Sequence, residues 1–219
     1  MKIIFNNNNF KLNSDGSIFW QEESCLILGD LHLEKSTSYM NQGNFLPPYD
    51  TIETLSNLSN TIQNLNASKL ILLGDIFHDN KAYKRLRGKE KKIFDDICNF
   101  FEVIWIKGNH DNNFIPKNIK TYNKYKKKNL TFTHISETSN VREVSGHYHP
   151  KVSFKYVGVK ITKPCFMIDN KRLILPAYGS YTGGLNLKSR ILQSLFSNQL
   201  KVYATGNKKV LEIKNKNIL

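Results

Sequence analysis

Six histidines occur in this 219-residue chain. Each lies in or just after a short apolar run that ends in Gly, Asp, Asn or His. Cys25 to Leu28 leads into Gly29-Asp30-Leu31-His32, and Leu70 to Leu73 into Gly74-Asp75-Ile76-Phe77-His78. Val103 to Ile106 leads, after Lys107, into Gly108-Asn109-His110-Asp111. Leu130 to Thr133 ends at His134, and Val141 to Ser145 at Gly146-His147-Tyr148-His149-Pro150. Imidazole and carboxylate without thiolate suit divalent ions such as Mn, Fe, Co or Zn. Asp30 and His32 are two residues apart, as are His147 and His149. In a strand-like segment each pair projects to one side and can aim two ligands at one small volume.

The count of ligands exceeds the needs of one ion. Two ions sharing a carboxylate would use it, with Asp75 as the natural shared ligand. Such ions, about 3.5–4 Å apart, clamp the attacking and leaving oxygens of an in-line phosphoryl displacement. A water between them loses its proton near neutral pH and becomes the nucleophile. No Ser or Cys nucleophile is needed, and neither Gly-x-Ser-x-Gly nor a P-loop occurs.

Positioning these side chains requires strands whose carboxyl ends meet. A short apolar run closed by Gly and a polar residue reads as a buried strand. In open α/β sheets ligands bind at that end. Residues 1–24 read as short strands with a hairpin signal at Asp15-Gly16. Residues 36–46 lack a period and read as loop. Asp50 and Glu53 resemble a capping box, and the apolar spacing from Ile52 to Leu65 predicts a helix over 51–66. With strand 69–73 this completes a βαβ unit with parallel strands. A second helix over 89–101 and strand 103–107 complete another. Residues 112–129 read as irregular and basic. From residue 130 short strands dominate, at 130–133, 141–145, 152–157, 159–162, 165–168 and 172–175, and predict a mixed or antiparallel second sheet. A short helix over 187–197 and a hairpin of 201–204 with 209–213 close the chain.

The length suits one domain, residues 1–219, with a real core. No apolar run approaches a membrane span. Cys25, Cys98 and Cys165 form no close pair, which fits a reducing cytoplasm and offers no thiolate metal site. The formal net charge is +14. That balance suits a polyanionic partner, nucleic acid above all. A composition rich in Lys, Asn and Ile throughout accounts for it equally well. Lys84, Arg85 and Arg87 suit a phosphate backbone or a solvated helix flank alike. Lys124, Lys126, Lys127 and Lys128, with Tyr122 and Tyr125, read first as a surface loop and second as a stacking platform.

Asp-x-His, Gly-Asp, Gly-Asn-His-Asp, a lone His and Gly-His-x-His, in this order, resemble the calcineurin-like metallophosphoesterases. The resemblance covers nearly the whole chain. It implies an α/β, four-layer αββα sandwich of two facing mixed sheets with helices outside. It implies Asp30, His32, Asp75 and His149 around one ion and Asp75, Asn109, His134 and His147 around the other, with Mn first and Fe, Zn or Co as alternatives. It places His110 beside the phosphate as a proton donor, oriented by Asp111, with Asn109 and His78 as substrate contacts. Asp30-Leu31-His32-Leu33-Glu34-Lys35, Leu46-Pro47-Pro48-Tyr49 and the block Leu175-Pro176-Ala177-Tyr178-Gly179-Ser180-Tyr181-Thr182-Gly183-Gly184 are similar to the bacterial DNA-ligase-associated phosphoesterases. Some of those are described as DNA-damage-response endonucleases. The expectation is therefore a phosphodiesterase acting on DNA, linked functionally to a DNA ligase, without a membrane or an obligate protein partner. A phosphatase or pyrophosphatase of small, nucleotide or lipid-linked esters is the alternative, and a non-catalytic basic scaffold a third reading. Glu34, where the subfamily often has Gly, and Ile135-Ser136 after His134 depart from its pattern.

Overall fold

The computed structural model describes residues 1–40, 43–111, 116, 119–139, 141–196, 199–214 and 217–219. The parts of the expected loops 36–46 and 112–129 and of the helix 187–197 that fall on residues 41, 42, 112–115, 117, 118 and 197 lie outside them.

One sheet runs in chain order through β1 (Lys2–Phe5), β2 (Asn8–Leu12), β3 (Ile18–Trp20), β4 (Cys25–Leu28), β5 (Lys69–Leu72), β6 (Glu102–Ile106) and β7 (Lys120–Tyr122). Its first half is antiparallel, and β4 to β7 are parallel. The parallel half follows from its connections. α2 (Asp50–Leu65) and α4 (Gly88–Phe100) each carry the chain back before the next strand begins. α1 (Lys35–Met40) and α3 (Ala82–Arg85) are short turns of helix above the strand ends.

The other sheet contains β8 (Lys124–Lys127), β9 (Leu130–Thr133), β10 (Glu143–Ser145), β11 (Lys151–Tyr156), β12 (Val159–Ile168), β13 (Arg172–Ile174), β14 (Lys201–Ala204) and β15 (Leu211–Ile213). The order is β15-β14-β12-β13-β10-β9-β8, with β11 hairpinned onto β12. It is mixed, because β10 runs parallel to both β9 and β13. α5 (Arg190–Leu195) covers its outer face, its first turn capped by the Ser189 hydroxyl.

Period-two alternation assigns each strand's two faces. Cys25, Ile27, Ile71 and Leu73 face the second sheet and pack with Phe132, Val144, Phe166 and Leu173. Leu26, Leu28, Leu70 and Leu72 face the helices and pack with Leu55, Leu58, Ile62, Phe94 and Ile97. Outside the second sheet, Met167, Ile174 and Val202 pack under Leu192 and Leu195. The result is the α/β, two-sheet sandwich with helices outside.

Three local expectations change. Residues 35–40 are helix rather than loop, because Asp50 caps them from outside. Its Oδ2 accepts from the backbone N–H groups of Lys35 (3.0 Å) and Ser36 (3.1 Å). The supposed capping-box carboxylate thus serves α1 and makes no cap for its own helix. The basic stretch after residue 119 contains β7 and β8, edge strands whose Tyr122 and Tyr125 lie against the core while Lys120, Lys124 and Lys126 are exposed. Lys127 and Lys128 pair there with Glu23. β12 also runs unbroken from Val159 to Ile168, through Pro164.

Phe132 is wholly buried between the sheets, with its ring 5.7 Å from Trp20 and 6.0 Å from Tyr125. Phe132→Ala should lower stability by about 3–5 kcal/mol, read by urea unfolding. A loss within about 0.5 kcal/mol, the range of an ordinary surface substitution, would mean that the two sheets do not meet there.

Candidate metal centre

The five histidine-bearing strand ends converge. β4, β5 and β6 are parallel neighbours in one sheet, and β9 and β10 in the other. Their carboxyl ends therefore share a rim, and the loops beyond carry Asp30, His32, Asp75, Asn109, His110, His134, His147 and His149. Ligand atoms of Asp30, Asp75, His134 and His147 all lie within 4.8 Å of one another, and so do those of Asp30, His32 and His149. Asp30 is common to both groups, whereas the sequence favours Asp75 as the shared carboxylate.

Hydrogen bonds aim the side chains. Asp30 Oδ1 accepts from the His147 N–H (2.9 Å), across the two sheets. Asp75 Oδ1 accepts from the His110 N–H (2.8 Å). The His134 Nδ1 lies 2.7 Å from the Leu73 carbonyl. A carbonyl only accepts, so Nδ1 carries the proton and Nε2 turns to the cleft. There it lies 3.4 Å from Asp75 Oδ2, 3.0 Å from Asn109 Oδ1 and 3.1 Å from His147 Nδ1.

The backbone is shaped around these groups. Asp75, His32, His147 and His149 all have left-handed φ, between 44° and 64°. Two glycines are required by close approach. A Cβ on Gly108 would lie 2.2 Å from Asp75 Oδ1, and one on Gly146 would lie 2.5 Å from Asp30 Oδ1.

The donor set fits cations. Asp30 Oδ2 and His149 Nε2, both buried, pair at 2.7 Å. Among the described residues, the buried His32 Nδ1 has no hydrogen-bond partner. Buried polar atoms are rarely left so, and lone pairs converging on a common point are what a bound ion requires. Burial would raise the Asp30 carboxyl, but the His149, His134 and His32 imidazoles hold it down at about 2. Burial takes His32 down to about 4 against the pull of Asp30, and lowers His147 with the help of His134. Metal binding uses carboxylates and neutral imidazoles, so His134, which Asp75 and Asp30 raise above its ordinary value, gives up a proton when an ion enters.

His110 stands beside this cluster, with Nε2 3.9 Å from Asp75 Oδ2. The expected orientation by Asp111 is not what holds it. The Asp111 carboxylate, raised by burial, accepts from the Ile76 N–H, the Trp105 Nε1–H and the Gly108 N–H, each at 3.0 Å. The His110 Nδ1 instead meets the His78 carbonyl at 2.8 Å. Asp111 thus braces the loop, and a backbone carbonyl that no side-chain pattern could reveal orients the ring. The His78 ring is half-buried, 5.9 Å from His110 in a stacked arrangement and 5.7 Å from both His32 and Tyr39.

Arg85 ties this flank together. It donates to both Asp79 oxygens (2.9 and 2.7 Å), to the Glu34 carbonyl (3.1 Å) and to the Thr37 hydroxyl (3.0 Å). Arg85 is therefore a brace rather than a free cation for phosphate. The block from Leu175 borders the rim, with Tyr178 and Gly179 N–H groups donating to the Asp30 carbonyl. Tyr39 carries no local signal in the sequence, and Arg85 stands there only among the cations suited to a phosphate backbone or a helix flank.

Burial lowers His134, but Asp75 and Asp30 raise it further, to about 9. A pKa above the unfolded value of 6.5 stabilises the metal-free fold fully below about 6.5, and that stability is lost as pH rises through about 9. His134→Asn should therefore lower the urea midpoint of chelator-treated protein most at about pH 6, the difference from wild type narrowing above about pH 9. A difference that widens with pH would show His134 to be neutral.

No curated protein matches the chain. Among solved structures, the Pseudomonas putida nuclease MPE aligns with a TM-score of 0.72 at 22% identity, over 97% of this chain and 99% of that one. Yfce, a phosphoesterase from E. coli, aligns with a TM-score of 0.41 at 14% identity, over 86% of this chain and 97% of that one. No helix among the described residues is long and apolar enough to cross a membrane. The family model of the calcineurin-like phosphoesterases matches residues 24–190, more than half of the chain. With that match and the two-sheet fold, the chain belongs to the calcineurin-like phosphoesterase family, hydrolases of phosphoester bonds.

Proposed function

We propose that this protein is a two-cation phosphodiesterase that cleaves nucleic acid, DNA first. The observation that carries the reading is the pair of ligand groups meeting at Asp30, with His110 at their edge. Asp30, His32, Asp75 and His149 would hold one cation, and Asp75, Asn109, His134 and His147 the other. When bound, the cations neutralise phosphoryl charge and supply a nucleophilic water at neutral pH.

The residues do the rest. The His78 carbonyl fixes the Nδ1 proton of His110. Its Nε2 is thereby left to deliver a proton to the leaving oxygen. Asp75 Oδ2 stands 3.9 Å from that nitrogen. His78 and Asn109 contact the substrate. Asp111 keeps the loop from Gly108 in register.

The net charge of +14 favours a polyanionic substrate. The similarity to the DNA-ligase-associated phosphoesterases, and a fold shared with a nuclease, make DNA the first polymer to test. Manganese as the ion and a DNA-repair role beside a DNA ligase follow from the same resemblance, and a cytoplasmic location from the three cysteines without a close pair.

His110→Ala should keep both cations and lose about tenfold to a hundredfold in turnover of a chromogenic diester, in line with general acid catalysis. Undiminished cleavage would remove His110 from the mechanism. Bound manganese, counted by atomic emission after desalting, should be two per chain in the wild type and fewer in Asp75→Asn. Excess chelator should abolish cleavage and lower the melting temperature, because ions bind the folded state alone. Cleavage that persists in chelator would end the two-cation reading.

A further inference from the structure

β11 begins two residues after His149 and leads away from the metal centre as half of a two-stranded ribbon with β12. The register pairs Lys151 with Pro164, Ser153 with Thr162, Lys155 with Lys160, and Tyr156 with Val159. Residues paired across an antiparallel ladder share a face, as do residues two apart. Lys151, Lys155 and Lys160 therefore stand on one face. On the other, Val152 and Phe154 are buried, with Phe154 bridged to Ile218.

Two facts about the lysine face call for a ligand. Lys155 and Lys160 lie directly opposite each other and are both exposed. Like charges so placed destabilise a ladder unless an anion sits between them. No Asp or Glu occurs anywhere between Glu143 and Asp169, and among the described residues no carboxylate from elsewhere forms an ion pair with Lys151, Lys155 or Lys160. The near end of the stripe reaches the cleft. Lys151 Nζ lies 3.4 Å from the carbonyl of Thr182, and Lys151 adds its repulsion to the burial that lowers the Lys35 ammonium. From Lys151 to Lys155 the strand covers about 13 Å at ~3.3 Å per residue.

We propose that this ribbon is a docking arm for a nucleic-acid strand, its lysine face holding phosphates that flank the bond at the metal centre. The inference rests on the phosphodiesterase reading and adds a second site of contact to it. The occupant is a phosphate backbone because the face offers spaced cations leading out from a phosphoester site. The arm sets affinity for the polymer and takes no part in the bond cleavage itself.

The test is K155A/K160A in the full chain, read by anisotropy of a fluorescein-labelled DNA oligonucleotide across a salt series in chelator, and by manganese-dependent turnover of a small chromogenic diester. Binding should weaken at least about fivefold at low salt. The slope of log affinity against log salt should fall by about 1.4–1.8, two phosphate contacts at ~0.7–0.9 each. K155R/K160R should restore both. Diester turnover should not change, and the melting temperature should hold or rise as the repulsion is relieved.

Unchanged oligonucleotide affinity and slope would overturn the arm. So would loss of binding to phosphatidylglycerol vesicles or polyglutamate with oligonucleotide binding intact. A protein that turns over no diester yet binds the oligonucleotide through these lysines would sink the hydrolytic reading and leave the arm standing.

Discussion

The contact on which the molecule depends is the hydrogen bond from the His147 backbone N–H to Asp30 Oδ1, 2.9 Å long. Asp30 follows a strand of one sheet, and His147 follows a strand of the other. The bond stitches the two sheets at their common rim. Asp30 is entirely buried. An ionised carboxylate there costs several kcal/mol unless it is paired and hydrogen-bonded. The charge-assisted bond to a backbone N–H offsets part of that cost, and the imidazoles around Oδ2 offset more. One carboxylate thus joins the sheets with one oxygen and presents the other to the cleft. Gly146 is the residue that lets the backbone come so near.

The same rim stores strain. His32, Asp75, His147 and His149 all adopt left-handed backbone, which side-chain-bearing residues avoid. Such conformations cost of the order of 1–3 kcal/mol each and persist only where surroundings over-determine them. Here those surroundings are identifiable. The His32 N–H donates to the Asp75 carbonyl, Tyr178 and Gly179 hold the Asp30 carbonyl, and the Gly146 N–H donates to the His134 carbonyl. Each loop is held by another loop of the site, so the geometry is collective. Displacing one ligand should disturb the others.

How far this could be read without coordinates depended on whether the signal was local. Asp30, Asp75, His134 and His147 were legible because each follows an apolar run and strands deliver their ends to one rim. The buried alternation of Leu26, Ile27 and Leu28 was legible for the same reason. The orientation of His110 was not, because sequence adjacency pointed to Asp111, whose oxygens are taken by Ile76, Trp105 and Gly108. Nor was α1, whose cap comes from Asp50, fourteen residues after Ser36. β7 and β8 were hidden by their lysines, since an edge strand is free to be polar on its outer side. The shared carboxylate is a question of distances, and residue types carry none.

The three cysteines have a practical bearing on the chemistry at the rim. Cys25 and Cys165 are buried, Cys98 partly so. Burial pushes the thiols of Cys25 and Cys98 up to about 12, and that of Cys165 higher than its ordinary value too. Reactivity towards oxidants and alkylating agents belongs to the thiolate, a form nearly absent from this protein at neutral pH. Thiol reductants, whose own sulfurs are soft ligands for transition metals, have little to protect here at neutral pH. The enzyme can be reconstituted and titrated with ions in plain buffer, so that every equivalent added is available to the imidazoles and carboxylates alone.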